Sequence, residues 1–123
     1  MDPETHDKHL AYISHLSHIS SFVLSNTVLD VEKVEKDIFA LAGSGFASTV
    51  RLAKSSPAMW APIFEQNSHY LSKALEEYIA HLQNFLRHLQ QQDTPTLYQM
   101  MEEANKIRPV LEGKSKAAAV PEQ

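Results

Sequence analysis

The sequence predicts an all-α fold, and three observations support this prediction. Apolar residues recur at spacings of three and four along most of the chain, which is the period of an amphipathic helix. Glycine, which interrupts helices, occurs only three times in 123 residues. Few segments alternate β-branched and polar residues in the way that is typical of strands. We therefore expect one helical domain over residues 1–113 and a disordered tail over residues 114–123, which are small, polar and aperiodic.

The first predicted helix runs from Pro3 to about Ser25. Asp2 can cap it, and Pro3 suits the first helical position. Asn26-Thr27 weakens the helical pattern and marks the expected end. The predicted apolar row and its flanks consist of Tyr12, Leu16, Ile19 and Val23, with Leu10 and Ile13. Because the chain begins almost at a helix cap, we expect a domain boundary there.

The middle of the chain predicts three short helices, each preceded by a cap residue or a glycine. Their expected ranges are Val31–Leu41, Phe46–Lys54 and Ala58–Phe64. Asp30 can cap the first of them and Gly43 can end it, while Ser56 can cap the third. The stretch Gly43-Ser44-Gly45 lacks the G-x-G-x-x-G spacing and follows a helix, so it is not a nucleotide-binding motif.

The second half of the chain predicts a long helix over residues 68–91 and a shorter one from Thr94. Apolar residues of the long helix alternate steps of four and three, which is the repeat of a coiled-coil seam. The seam consists of Leu71, Leu75, Tyr78, Leu82, Phe85 and Leu89. Ile79 and Leu86 widen this face, so we expect it to be buried on more than one side. Pro109 ends or kinks the last helix.

Composition argues against several classes of function. The net charge is -4 and lysine and arginine form no run, so binding to nucleic-acid phosphates is not expected. No stretch approaches the roughly 18 apolar residues that span a membrane. Because the chain has no cysteine, it has neither a disulfide nor a thiolate metal site, which fits a cytoplasmic protein.

A polar stripe on the first helix is the first candidate site. Counting by three and four along a helix places small polar side chains and a histidine on one face. The stripe consists of Asp7, Ala11, Ser14, His18, Ser21 and Ser25. Buried hydroxyls and imidazoles need hydrogen-bond partners, so the stripe faces water, an internal network or a polar ligand.

The adjacent pair His6-Asp7 raises the alternative of a metal-dependent helical hydrolase. Such enzymes need further histidine and aspartate ligands from other helices, and no downstream histidine pairs with the later aspartates of this chain. His15 and His18 could share a face, but the H-E-x-x-H pattern of zinc sites is absent. We therefore expect no metal, and the hydrolase stays open as an alternative.

Arg51 and Trp60 form the second candidate site. Arg51 lies in a small, apolar segment beside Ser48 and Thr49, and a guanidinium binds a carboxylate through two parallel hydrogen bonds. Taken singly, Arg51 reads as a surface arginine whose stem lies over the core, and Trp60 reads as a core residue. Neither residue alone establishes a ligand site.

The order of the motifs is more specific than any single one. From Pro3 to Phe64 the chain contains His-Asp, Ser-His-Leu-x-His, Gly-x-Gly-Phe, Arg, Ser-x-Pro-x-Met-Trp and Ile-Phe. This ordered set resembles the C-terminal helical domain of prephenate and arogenate dehydrogenases, and the later helices fit the rest of that domain. The resemblance implies a helical bundle like the C-terminal domain of 6-phosphogluconate dehydrogenase, paired as an intertwined homodimer.

The resemblance also implies an activity for the complete protein. The family oxidises prephenate with NAD or NADP and releases carbon dioxide, giving 4-hydroxyphenylpyruvate for tyrosine biosynthesis. In the family an N-terminal Rossmann domain binds the cofactor and carries the catalytic histidine, so this chain alone is expected to be inactive. It would supply dimerisation and binding of the dicarboxylate substrate. A stand-alone all-α interaction module stays open as a further alternative.

Position by position, the resemblance implies roles for eight residues. Substrate-binding roles fall on Ser14, His18, Gly43, Arg51 and Trp60. Supporting roles, which orient pocket groups, fall on His6, Asp7 and His15. The chain departs from the family where a proline, a loop glycine and, in many members, an acid are replaced by Ser17, Ser44 and Ser48.

Overall fold

The computed structural model describes residues 1–113, which are largely helical and contain no strand. The α-helices in this range are α1 Pro3–Leu10, α2 Leu16–Glu32, α3 Ser44–Val50, α4 Pro57–Gln66, α5 Ser68–Gln90, α6 Thr94–Ala104 and α7 Arg108–Leu111. The all-α prediction is confirmed, whereas the predicted tail lies outside the described residues. None of the helices in this range is both long enough and apolar enough to span a bilayer.

Shorter helical turns connect some of these helices. A π-helical turn, Ala11–His15, joins α1 to α2 without a break. The 3₁₀ turns are Ile38–Leu41, Arg51–Lys54 and Asn105–Ile107. The helix that begins at Pro3 therefore continues to Glu32, well beyond the predicted end.

The predicted end at Ser25 and the separate helix over Val31–Leu41 are both wrong. No glycine or proline interrupts α2, and the Thr27 hydroxyl donates to the Val23 carbonyl at 2.9 Å, so this residue is accommodated within the helix. Val31 belongs to the last turn of α2, and only Ile38–Leu41 forms a helical turn of its own.

Side-chain caps begin three of the helices. The Asp2 carboxylate accepts the Thr5 N–H at 2.8 Å, which starts α1 as predicted. The Ser56 hydroxyl accepts the Met59 N–H at 3.3 Å at the start of α4. At α6 the capping side chain is Asp93, one residue before the predicted start. Each of these helices has a proline in its first two positions, where a missing N–H costs nothing.

The chain forms two compact units, one from Met1 to Tyr78 and one from Ile79 onward. The buried apolar residues of the first unit belong to the π-helical turn and to the beginning of α5, which pack together. They are Ala11, Leu71 and Ala74, with Leu16, Ile19, Phe64 and Tyr70 packed against them. No large side chain of residues 1–113 is completely buried. The apolar core of the first unit is therefore small for its length.

The seam of α5 changes character along the helix. Leu71 is buried, and Leu75 and Tyr78 are half-buried. In the second unit, by contrast, Leu82 is 53% exposed and Leu89 is 55% exposed. Further exposed apolar side chains of that unit are Ile79, Leu86, Tyr98, Met101, Ile107, Val110 and Leu111. Within residues 1–113, the expected burial of the seam on more than one side is therefore not observed.

Candidate functional site

The π-helical turn alters the register of the first helical segment. The N–H of Leu16 donates to the carbonyl of Ala11, five residues earlier, so this turn holds one residue more than an α-helical turn. One extra residue rotates the side chains after the turn by about 100° relative to those before it. A stripe counted through the turn by threes and fours is therefore not a single face.

The buried residues of this segment belong only in part to the predicted polar stripe. Ala11, His15 and Ser21 are buried, whereas Ser14 and His18 are half-buried. Five of the six stripe residues are therefore buried or half-buried and only Asp7 is exposed, but the buried His15 lies outside the stripe. The apolar row is wrong in part, because its exposed members are Tyr12, Ile13 and Val23.

His15 is held by Asn67, which lies between α4 and α5. Asn67 Nδ2 lies 3.1 Å from His15 Nδ1 and 2.9 Å from the backbone carbonyl oxygen of Asp7. The Asp7 side chain is exposed, so it is the main chain of this residue that takes part. Asn67 is not among the residues that the sequence predicts for the site, and its one local signal is its place at the end of a helix, where asparagine is common.

Burial lowers the pKa of His15 below its ordinary value of 6.5. The charge of nearby His18 lowers the pKa further, and the Asp7 carboxylate opposes both effects. His15 is therefore held neutral in the fold at a pH where an unfolded chain would begin to bind a proton.

This lowered pKa predicts how stability depends on pH. Below about pH 6.5 the unfolded chain binds more protons at His15 than the folded chain does, so the free energy of unfolding should fall as the pH falls. In His15→Gln, whose amide oxygen can still accept from Asn67, this part of the pH dependence should disappear. Denaturant titrations at about pH 5.5 and about pH 7.5 measure it. The exposed His9→Gln is the matched control, and equal slopes in the two variants would contradict the assignment.

His18 and Trp60 stack face to face. Their ring centroids lie 3.6 Å apart with an interplanar angle of 22°. His18 Nδ1 lies 2.9 Å from the Ser14 carbonyl, to which it donates, and Nε2 has no hydrogen-bond partner within residues 1–113. Trp60 also meets the His15 ring edge-on at 6.0 Å. The structure thus brings together three residues that the sequence proposed for the site.

An apolar groove lies beside this stack, between α2 and α4. It has a volume of about 420 Å³ and includes Trp60 in its wall. The other apolar side chains of the groove are Ile19, Phe22, Val23, Pro57, Ala61 and Phe64. The indole of Trp60, which stacks on His18, therefore borders a surface that suits an apolar ring or another protein surface.

Arg51 lines a different cavity, of about 390 Å³. Hydroxyl groups dominate its wall, and they belong to Tyr12, Ser17, Ser20, Ser21, Ser48, Thr49 and Tyr78. Ser20 and Tyr78 share a hydrogen bond of 2.9 Å, and Ser21 donates to the Thr49 carbonyl at 2.8 Å. The exposed guanidinium of Arg51 is the one cation among the residues that line this cavity. Such a cavity suits a carboxylate.

The predicted site residues therefore fall into two groups on different faces of α2. His15, His18 and Trp60 form one group, and Arg51 belongs to the hydroxyl cavity. Gly43 is exposed, and a Cβ added there would meet no atom within 4 Å. His6 is exposed on α1. In residues 1–113 no group of three histidine, aspartate or glutamate side chains could hold a metal ion.

Comparison with known proteins decides the family. Residues 2–103 match the family model described as prephenate dehydrogenase, dimerization domain. The chain belongs to the prephenate dehydrogenase dimerisation domain family. The resemblance inferred from the ordered motifs is thereby confirmed.

Two curated relatives of this family are similar along most of the chain. Prephenate dehydrogenase of Bacillus subtilis (strain 168) is 30% identical over 118 residues, which are 96% of this chain and 32% of the relative. Cyclohexadienyl dehydrogenase of Zymomonas mobilis is 31% identical over 109 residues, which are 88% of this chain and 37% of the relative. The chain thus spans about a third of the length of these prephenate dehydrogenase relatives.

Two solved structures share the fold. A crystal structure of prephenate dehydrogenase from A. aeolicus, in complex with hydroxyphenyl propionate and NAD+, matches with a TM-score of 0.81 and 32% identity. Synechocystis arogenate dehydrogenase matches with a TM-score of 0.79 and 28% identity. Each match covers 90% of this chain, and 39% and 41% of the respective structures. This chain therefore shares its helical fold with part of these prephenate and arogenate dehydrogenases.

Proposed function

We propose that this chain is the helical, dimer-forming part of a prephenate dehydrogenase. In the complete enzyme it pairs two subunits and binds the carboxylates of the substrate. The observation that carries the proposal is the large exposed apolar surface of α5 and α6, in a chain whose family model is a dimerisation domain. The reaction of the complete enzyme is the oxidative decarboxylation of prephenate to 4-hydroxyphenylpyruvate, a step towards tyrosine.

The exposed apolar surface supports a second copy of this chain as the partner. Leu82 and Leu89 continue the heptad seam and Leu86 widens it, yet each of the three is more than half exposed. Burying one such side chain contributes about 1.5–3 kcal/mol, and obligate homodimer interfaces are large and apolar. A protomer whose own core is small gains this stabilisation from the partner.

Arg51 is the residue that we propose binds a substrate carboxylate. Prephenate is a dicarboxylate, and a planar guanidinium offers two parallel hydrogen bonds to a carboxylate. Most hydroxyls of the cavity already donate within the protein, but the Ser48 hydroxyl makes no such bond within residues 1–113 and can donate to the substrate. Substrate contacts are also proposed for Ser14, His18, Gly43 and Trp60, of which His18 and Trp60 lie on a different face of α2 from Arg51. The residues proposed to support them are His6, Asp7 and His15.

An NAD-type cofactor is proposed for the complete enzyme, in keeping with the NAD+ of the A. aeolicus structure. Residues 1–113 contain no strand and no G-x-G-x-x-G turn, which are the elements of a Rossmann dinucleotide site. The nicotinamide would supply hydride acceptance in the reaction, and we assign its binding to a Rossmann domain of the complete protein. We place the enzyme in the cytoplasm, where the nicotinamide pool for biosynthesis is available.

An assay of NADH formation tests this proposal. With prephenate and NAD, the 123-residue chain alone is expected to form no NADH, and the same chain joined to its cofactor domain is expected to form it. NADH formation by the chain alone would contradict the division of roles. A complete protein that is inactive with both prephenate and arogenate, and with both NAD and NADP, would contradict the function.

A further inference from the structure

We propose that Asn67 is a positioning residue of the candidate site, which fixes the tautomer and orientation of the His15 ring against Trp60. This role deepens the proposed function and rests on it. The tautomer itself follows from the geometry of residues 1–113 and can be measured without enzyme activity.

The hydrogen bonds of Asn67 define the orientation of its amide. The backbone carbonyl of Asp7 can only accept, so Nδ2 must be the atom that faces it at 2.9 Å. The second hydrogen of the same NH₂ group is then available to His15 Nδ1 at 3.1 Å. His15 Nδ1 must accept this hydrogen bond, and the proton of the neutral ring is therefore on Nε2.

Asn67 is well anchored for this role. It is only 8% exposed. Its backbone N–H bonds to the carbonyls of Ile63 and Phe64, and its own carbonyl accepts the Leu71 N–H at 2.9 Å. The main chain is thereby tied to α4 and α5 while the side chain reaches the π-helical turn. A side chain with so little freedom can hold a ring in one orientation.

The two histidines that flank Trp60 are consequently in opposite tautomers. His18 Nδ1 donates to the Ser14 carbonyl, so its proton is on Nδ1 and its Nε2 can accept. His15 instead carries its proton on Nε2. Trp60 meets His15 edge-on and His18 face-on. The site therefore combines one imidazole that donates from Nε2 and one that accepts at Nε2, and Asn67 maintains this difference.

Two-bond ¹⁵N–¹H NMR spectra of the imidazole rings in the full 123-residue chain test the proposal. Near pH 7.5 we expect the Nε2–H tautomer for His15 and the Nδ1–H tautomer for His18. Asn67→Asp replaces the donor with a negatively charged acceptor. This variant should move the His15 proton to Nδ1. It should also raise the His15 pKa by about one unit or more, because a negative charge then faces the ring. Asp7 and His18 are the other charged groups near His15.

Gln66→Glu is the matched control, because it makes the same amide-to-acid change at the exposed neighbouring position. It should leave the His15 tautomer unchanged. An Nδ1–H tautomer of His15 in the unaltered chain would overturn the proposal, whether or not Asn67→Asp folds. An unchanged tautomer in a folded Asn67→Asp variant would also overturn it. If the complete, unaltered enzyme formed no NADH although His15 and His18 had the expected tautomers, that result would instead count against the proposed function.

Discussion

Leu82→Glu is expected to weaken self-association of this chain by at least about 100-fold, which corresponds to about 2.7 kcal/mol. Leu82 lies on the α5 seam and is 53% exposed in the protomer. In the proposed dimer its side chain would be buried, a change that contributes about 1.5–3 kcal/mol for leucine. The variant loses this contribution and must also desolvate an unpaired carboxylate, which adds to the loss.

Gln83→Glu provides the matched control for this change. Gln83 is the exposed, polar neighbour of Leu82 and lies off the seam, so the variant adds the same charge at almost the same place. Dissociation constants are measured from a concentration series in sedimentation velocity. The value for Leu82→Glu should be much higher than that of the unaltered chain, and the value for Gln83→Glu should be close to it. Circular dichroism would verify that α5 still forms. Equal dissociation constants for the two variants would mean that the seam is not the interface.

In the complete enzyme, Arg51→Ala should raise the KM for prephenate about 10- to 150-fold, with a smaller effect on kcat. A hydrogen bond to a charged group contributes about 1.5–3 kcal/mol, which corresponds to this range. Because the proposed contact with the carboxylate is present in both the bound substrate and the transition state, its loss affects binding more than the chemical step. Steady-state kinetics with saturating cofactor measures both constants.

Two further variants make this test specific. Lys54→Ala removes another exposed cation of the same 3₁₀ turn that does not line the Arg51 cavity, and it should leave KM near its original value. Arg51→Lys keeps the charge but loses the planar pair of donors, so it should recover only part of the affinity. An unaltered KM in Arg51→Ala would remove Arg51 from the substrate site.

The helix starts could be predicted because their causes are local. Asp2 and Ser56 each accept an N–H three residues later, and a proline follows each of them directly. The end of the first helical segment could not be predicted from Asn26 and Thr27, because weak helix formers do not end a helix that tertiary packing supports. Helix starts can therefore be predicted from local capping residues, whereas the position at which a helix ends depends on packing in the whole fold.

The sequence pointed to three residues that the structure brings together, His15, His18 and Trp60, but not to their arrangement. The ordered motifs and the family resemblance pointed to His18, Trp60 and Arg51. The π-helical turn has no signature in the sequence, so the faces of the helical segment could not be assigned correctly by counting. Asn67 was missed because its partners, Asp7 and His15, lie 60 and 52 residues away in the sequence.

Sedimentation equilibrium of the unaltered 123-residue chain at micromolar concentration tests the central claim most directly. The claim is that this chain forms the dimer of a prephenate dehydrogenase through the apolar faces left exposed on α5 and α6. A mass of twice the 13.9 kDa of one chain is the expected result. A compact monomer of 13.9 kDa at that concentration would contradict the account.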